Sequence, residues 1–189
     1  VRQAEYTTRE RLLTAAESLL LETGYERVSI RAVCAAAEVN PAAVHYHFGS
    51  KEALVAALLQ SRLGPLWESS MEGLEGRGAS VAECVSGVID PLVVLAADPI
   101  GRLHLRLLSR LVLGRQDIAW TERWFTLDPF VELLRRQHPE LPEHEARTRW
   151  MLAFDLILGQ FGAPLADDHV LSARAVTTLR AFVTAGLES

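Results

Sequence analysis

The sequence predicts an all-α protein of about nine helices, and three observations carry that prediction. Apolar residues recur three and four positions apart along most of the 189-residue chain. Strand-type alternation is absent. Segments open on Ser, Asn or Asp-Pro and close on Gly, as helices do. The length is sufficient for a large core. The short N-terminal helices form a three-helix head, and the longer ones that follow form a helical body.

In the head, Thr7 or Thr8 caps a first helix that runs to about Thr23 and stops at Gly24. Leu12, Leu13, Ala16, Leu19 and Leu20 share one face of it. Tyr25 and Val28 lead to Ser29, the cap of a second helix in which Ile30, Val33 and Cys34 point inward and Arg31 outward. Asn40 caps a third helix, with Pro41 at its first position, where a missing N–H costs nothing. Its next residues, Ala42, Ala43 and Val44, are small; His45, Tyr46, His47 and Phe48 follow, and Gly49 ends it. A turn of small side chains followed by polar rings makes a poor core helix and a good probe of a surface. No acidic residue lies between Glu38 and Glu52 to repel a polyanion, and a helix N-terminus suits phosphate. This is the pattern of a helix-turn-helix whose second helix, Asn40 to Phe48, enters the DNA major groove.

In the body, Ser50 caps a fourth helix through Leu54, Leu58, Leu59, Leu63 and Trp67, with a kink expected at Pro65. It fades in the stretch EGLEGRGAS, residues 72–80, the clearest linker in the chain. A helix from Ser80 to about Ala97 carries Val81, Val85, Val88, Ile89, Leu92 and Val93, and Pro91 within it predicts a kink or a break. Asp98-Pro99 caps the next, with Leu103, Leu107, Leu108 and Leu111 on one side and Arg102, Arg106 and Arg110 on another. The Arg stripe reads as a solvated face or as a surface for an acidic partner. An irregular aromatic stretch from Gln116 to Leu127 follows, then a helix from about Pro129 to Gln137 and a loop at PELPEHEA. The last two helices are expected at Glu143 to Gly162 and His169 to Leu187. The first of them is apolar nearly all round, so it needs cover on two sides; its own domain supplies one and a second subunit the other.

The segment AVHYHFGSKEAL resembles the recognition helix and fourth-helix start of the TetR family of bacterial transcription regulators, where TLYYHFGSKEAL is usual. The match runs from about Thr8 to Leu59. The resemblance implies a DNA-binding domain at residues 1–50 and a ligand-binding and dimerisation domain at 51–189. It implies double-stranded operator DNA, a second copy of the chain and a small-molecule effector as partners. It assigns DNA contacts to Arg31, Asn40, Pro41, Ala42, Ala43, His45, Tyr46, His47 and Lys51. Arg31 is a contact or a solvated charge; Lys51, the chain's single lysine, resembles the family's phosphate-binding lysine. Glu38 stands where the family has Gly, so the turn is either strained or shaped differently, and His45 stands where it has Tyr. The last two helices resemble the family's dimer interface, an intermolecular four-helix bundle. That assigns Trp150, Ile157, Phe161, Val176, Leu179, Phe182 and Val183 to the contact. An effector cavity is expected among Trp67, His104, Leu108, Trp120, Trp124, Phe125, Phe154, Asp155 and Leu158; the alternative for each is an ordinary core position. An apolar or aromatic effector is implied, with one polar group for His104 or Asp155.

The formal net charge is −5, unlike that of a strongly basic DNA-binding protein. Residues 1–65 hold seven basic and seven acidic side chains and the remainder twelve and seventeen, so the acid lies away from the head. Cys34 and Cys84 are expected as buried free thiols in a reducing cytoplasm. No apolar run reaches ~18–20 residues and no signal peptide is visible, so a soluble cytoplasmic protein without a membrane partner is expected. The chain starts at Val1, and a few residues are expected before it. No cofactor or metal is expected: His45 and His47 point apart on a helix, His138 and His144 merely flank a loop, and HExxH, GxGxxG, GxSxG and P-loop motifs are absent. Two rivals to a repressor stand: a helical ligand-binding or enzymatic bundle without a DNA role, and an activator of the same architecture.

Overall fold

The computed structural model describes residues 2–75, 78–162 and 170–189. Its regular elements are α1 (Arg2–Thr23), α2 (Ile30–Ala36), α3 (Pro41–His47), α4 (Lys51–Glu75), α5 (Val81–Ala96), α6 (Pro99–Leu113), a 3-10 turn (Arg123–Phe125), α7 (Asp128–Gln137), α8 (Glu143–Phe161) and α9 (Ala173–Glu188). Among the described residues the fold is all-α. Helix α1 begins at Arg2, well before the expected Thr cap, because Arg2, Gln3, Ala4 and Glu5 are better helix formers than the threonines.

The head closes around Leu12, Leu13, Ala16 and Leu20 of α1, Val33 and Cys34 of α2, and Val44 of α3, all buried. Ser29 and Asn40 cap as expected, accepting from Ala32 N at 3.2 Å and Ala42 N at 2.9 Å. Between α2 and α3, Glu38 sits at φ 53°, in the left-handed region. That conformation costs a side-chain-bearing residue about 1–2 kcal/mol. Arg11 of α1 steadies the same turn, donating to Ala37 O at 2.5 Å.

Helix α4 is longer than expected and runs unbroken through Pro65 into the stretch read as linker. Pro65 lies on the exposed side, while Met71 and Leu74 beyond it are buried against α5, so packing holds the last turns helical. Pro91 does not break α5 either. A helical proline leaves the carbonyl four residues back without its N–H. That carbonyl belongs to Gly87, and Ser70 of α4 donates its hydroxyl to it at 2.9 Å. Gly87 permits the approach, since a Cβ there would meet Met71 Sδ at 2.7 Å. The partner helix thus supplies the hydrogen bond that the proline removes.

Helices α5 and α6 pack on α4; α8 packs on α6, α7 and α9, and α9 also covers α5. Gly162 crosses α6 so closely that a Cβ would lie 1.7 Å from Ser109 Oγ, and Ser109 in turn donates to Leu158 O at 2.8 Å. Helix α9 starts at Ala173 behind its Ser172 cap, later than the expected His169, which lies outside the described residues.

Candidate DNA-reading face and ligand cavity

Helix α3 stands on a buried Val44 and presents Tyr46, which is 75% exposed. Asn40, Ala42 and Arg31 are exposed around it, and His47 is half-buried with its ring edge-on to Tyr46 at 5.1 Å. Pro41, Ala43 and His45 lie on α3, and their side chains are outside the described set. Lys51 is placed differently from a free phosphate clamp. Its ammonium donates to Tyr25 O at 2.5 Å and lies 4.1 Å from the centre of the Tyr25 ring. One of its three donors is therefore engaged within the head.

Tyr25 is the joint between head and body. Its hydroxyl donates to Glu52 Oε1 at 3.0 Å, and Arg110 of α6 stacks on its ring at 4.2 Å. Burial, then the bond to Glu52, pushes the phenol up to about 12. Glu52 is held below the usual carboxylate range by its own backbone N–H at the helix start and, against some burial, by the Tyr25 hydroxyl. Of the Arg stripe, Arg110 also pairs with Glu26 and Arg102 donates to Ala96 O at 3.2 Å, so two of its members hold the fold together.

A cavity of about 560 Å³ opens in the body, between α4, α5, α6, α7, α8 and the irregular strap of residues 114–127. Trp67, Leu108, Trp120, Trp124, Phe125, Phe154, Asp155 and Leu158 line it. Its rings touch: Trp67 meets Phe125 edge-on at 5.4 Å, and Trp120 stacks on Phe125 at 5.2 Å. Two ion pairs stand on the lining, Arg115–Asp155 and Arg147–Asp128, each at 2.6 Å. Two buried polar atoms of lining residues have no hydrogen-bond partner among the described residues, Asp155 Oδ1 and Trp124 Nε1. Sequence reasoning missed Arg115, Arg147, Asp128, Phe130 and Met151, which come from three separate segments. It also missed Gln60, whose one signal is a lone amide in the apolar run LVAALLQSRL.

His104 does not line the cavity. It is buried on the far side of α6, with Nε2 2.7 Å from Glu17 Oε1 of α1, so it faces the head. Five of the seven residues assigned to the dimer contact also need correction. Trp150, Ile157, Val176, Leu179 and Val183 are buried within the protomer, because α6, α7 and α9 surround α8 from the same chain. Phe161 is half-buried. Phe182 is 70% exposed, and Leu152, one helix away, is 61% exposed. The thiols of Cys34 and Cys84 are free and buried. Burial pushes Cys84 up to about 11. Among the described residues no helix is long and apolar enough to cross a membrane, and no cluster of three or more His, Cys, Asp or Glu side chains forms a metal site.

Residues 12–58 match the family described as "Bacterial regulatory proteins, tetR family". The chain is 26% identical over 186 residues to the HTH-type transcriptional regulator UidR of Escherichia coli (strain K12), covering 93% of this chain and 91% of that one. The fold is similar to that of NalD from Pseudomonas aeruginosa, the secondary repressor of the MexAB-OprM multidrug efflux pump. That likeness has a TM-score of 0.62 at 24% identity, over 95% of this chain and 96% of NalD. A TetR-family regulator from Streptomyces coelicolor is similar at TM-score 0.60 and 24% identity, over 96% and 98%. With its helix-turn-helix head, its exposed recognition helix and its helical body, the chain carries in residues 12–58 the DNA-binding segment of the tetR family of bacterial regulatory proteins and is a DNA-binding transcription regulator.

Proposed function

We propose that the protein is a homodimeric repressor that binds an inverted-repeat operator and leaves it when a small effector enters the body cavity. The proposed division is residues 1–50 for DNA and 51–189 for effector and partner. One observation carries the reading: α4 is a single helix with Lys51 beside the recognition helix and Trp67 on the cavity wall. At 1.5 Å per residue those positions are about 24 Å apart along a rigid rod. A small tilt at the cavity end therefore becomes a displacement of α3. Two recognition helices fit successive major grooves only near ~34–36 Å, so a few ångströms of change release the DNA.

Tyr46, Arg31 and Asn40 read or position the duplex, and Lys51 reaches phosphate with the donors that Tyr25 leaves free. The effector is apolar and aromatic in the main, matching the rings of the lining, with one hydrogen-bonding group for Asp155. It carries no net charge, because the two arginines on the lining already face two carboxylates. NalD is a repressor, in keeping with the sense of regulation proposed.

Selection from random DNA tests the first half and is expected to return an inverted repeat. Tyr46→Ala should weaken binding to that repeat by about 1–3 kcal/mol, as loss of a base-reading side chain does. A compound screen that follows tryptophan fluorescence and operator affinity together tests the second half. Effector should lower operator affinity by the factor by which operator lowers effector affinity. Compounds that quench fluorescence and leave DNA affinity unchanged would remove the repressor mechanism.

A further inference from the structure

The strap over the cavity is fastened at three points to two helices, α8 and α4. At its start Arg115, in the left-handed region at φ 50°, pairs with Asp155 of α8. At its end Asp128 pairs with Arg147 at the other end of α8. Between them Gln60 of α4 ties the strap by hydrogen bonds. Gln60 is nine-tenths buried, and its Oε1 accepts from Thr121 N at 2.7 Å, Glu122 N at 2.8 Å and Thr121 Oγ1 at 3.3 Å. An amide buried in an apolar helix face is costly unless satisfied, and an aliphatic side chain would fill the same space. The strap's two backbone amides are what make an amide the better residue.

Two residues on, Arg62 points the other way, since positions i and i+2 lie on opposite sides of a helix. Its guanidinium grips α1: Nη2 is 2.7 Å from Glu10 Oε1, and Nε is 3.4 Å from Glu17 Oε2. The other oxygen of Glu17 meets His104 of α6. Within a single turn, α4 therefore holds the cavity wall in one jaw and the first helix of the DNA head in the other.

We propose that Gln60 and Arg62 form a two-sided clamp that couples the cavity strap to the DNA head. When the strap moves, Gln60 turns α4, and Arg62 carries α1 and the recognition helix with it. The clamp rests on the DNA-binding regulator reading, and names the residues through which its two sites communicate.

The test uses a duplex recovered by selection as the probe and amide hydrogen exchange across residues 118–127 as the readout. In the wild-type protein, duplex binding at the head should change exchange in the strap by about fivefold or more, the low end of ordinary coupling between sites. Arg62→Gln is the deciding variant. It leaves the Gln60 bonds intact, so exchange without DNA should match wild type while the response to bound duplex disappears; Arg62→Lys should restore part of it. Gln60→Leu should bind duplex with no strap response. Should Gln60→Leu fail to fold, the two Arg62 variants decide alone. A strap response in Arg62→Gln equal to that of wild type, or no response in a DNA-bound wild type, overturns the clamp. A wild-type protein that binds no selected duplex overturns the regulator reading and the clamp with it, which separates the two failures.

Discussion

Glu38 shows what one side chain costs this fold. It occupies a left-handed turn position where glycine is unstrained, at φ 53°. Its ion pair with Arg11 is long, 3.6 Å, and largely exposed, so it returns little. Glu38→Gly should therefore stabilise the protein, by about 1 kcal/mol after the greater freedom that glycine brings to the unfolded chain. Urea unfolding measures this; a lower midpoint would show that the carboxylate matters more than the strain. Tyr25 and Glu52 make the head joint sensitive to pH at both ends. The Tyr25 phenol lies at about 12 when folded against 10.0 ordinarily, so its contribution is full below pH 10 and is lost as pH rises from 10 through 12. Glu52 is depressed on folding, so its contribution is present above the ordinary carboxylate range and is lost as pH falls through the lowered value. The stability difference between wild type and Tyr25→Phe should be flat near neutrality and shrink above pH 10.

At the scale of elements, the two proline-bearing helices teach different things. Pro65 is tolerated because its face is wet, and Pro91 because another helix answers for it. Ser70→Ala should leave the Gly87 carbonyl without a donor and cost about 1–3 kcal/mol. In the background Pro91→Ala the same change should cost less, because the restored N–H takes the carbonyl. Thermal unfolding of the four proteins measures this coupling, and strict additivity would mean that Ser70 does not serve the proline. Both prolines were visible in the sequence. Their consequences were not, since periodicity along one segment says nothing about which hydroxyl stands opposite it. The caps were legible for the opposite reason: Ser29, Asn40, Ser50 and Asp98 act on backbone groups within three residues of themselves.

For the whole molecule, the exposed apolar side chains decide where a partner can sit. Phe182 and Leu152 project from α9 and α8, whereas Val183, its neighbour, is in the protomer's own core. Phe182→Glu should give a folded monomer, because the charge would enter only the contact of the proposed dimer. Val183→Glu should unfold the chain. Sedimentation and circular dichroism on both variants separate the two. A Phe182→Glu protein that remains dimeric at micromolar concentration would move the interface elsewhere.

The sequence by itself determined the helical class, most helix limits, the caps and the family segment from about Thr8 to Leu59, because each depends on residues close together in the chain. The family resemblance, not the residues alone, grouped the rings Trp67, Trp120, Trp124, Phe125 and Phe154, which line one cavity. Only the tertiary structure decided which apolar faces were already covered, and so moved Trp150, Ile157, Val176, Leu179 and Val183 from an interface to a core. It turned His104 from the cavity to Glu17, 87 positions away. It joined Gln60 to Thr121 and Arg62 to Glu10, contacts that bridge 61 and 52 positions of chain. Helical periodicity specifies which residues share a face. Which neighbour that face meets is set by how the helices pack, and pairing across such distances leaves no spacing in the sequence to read.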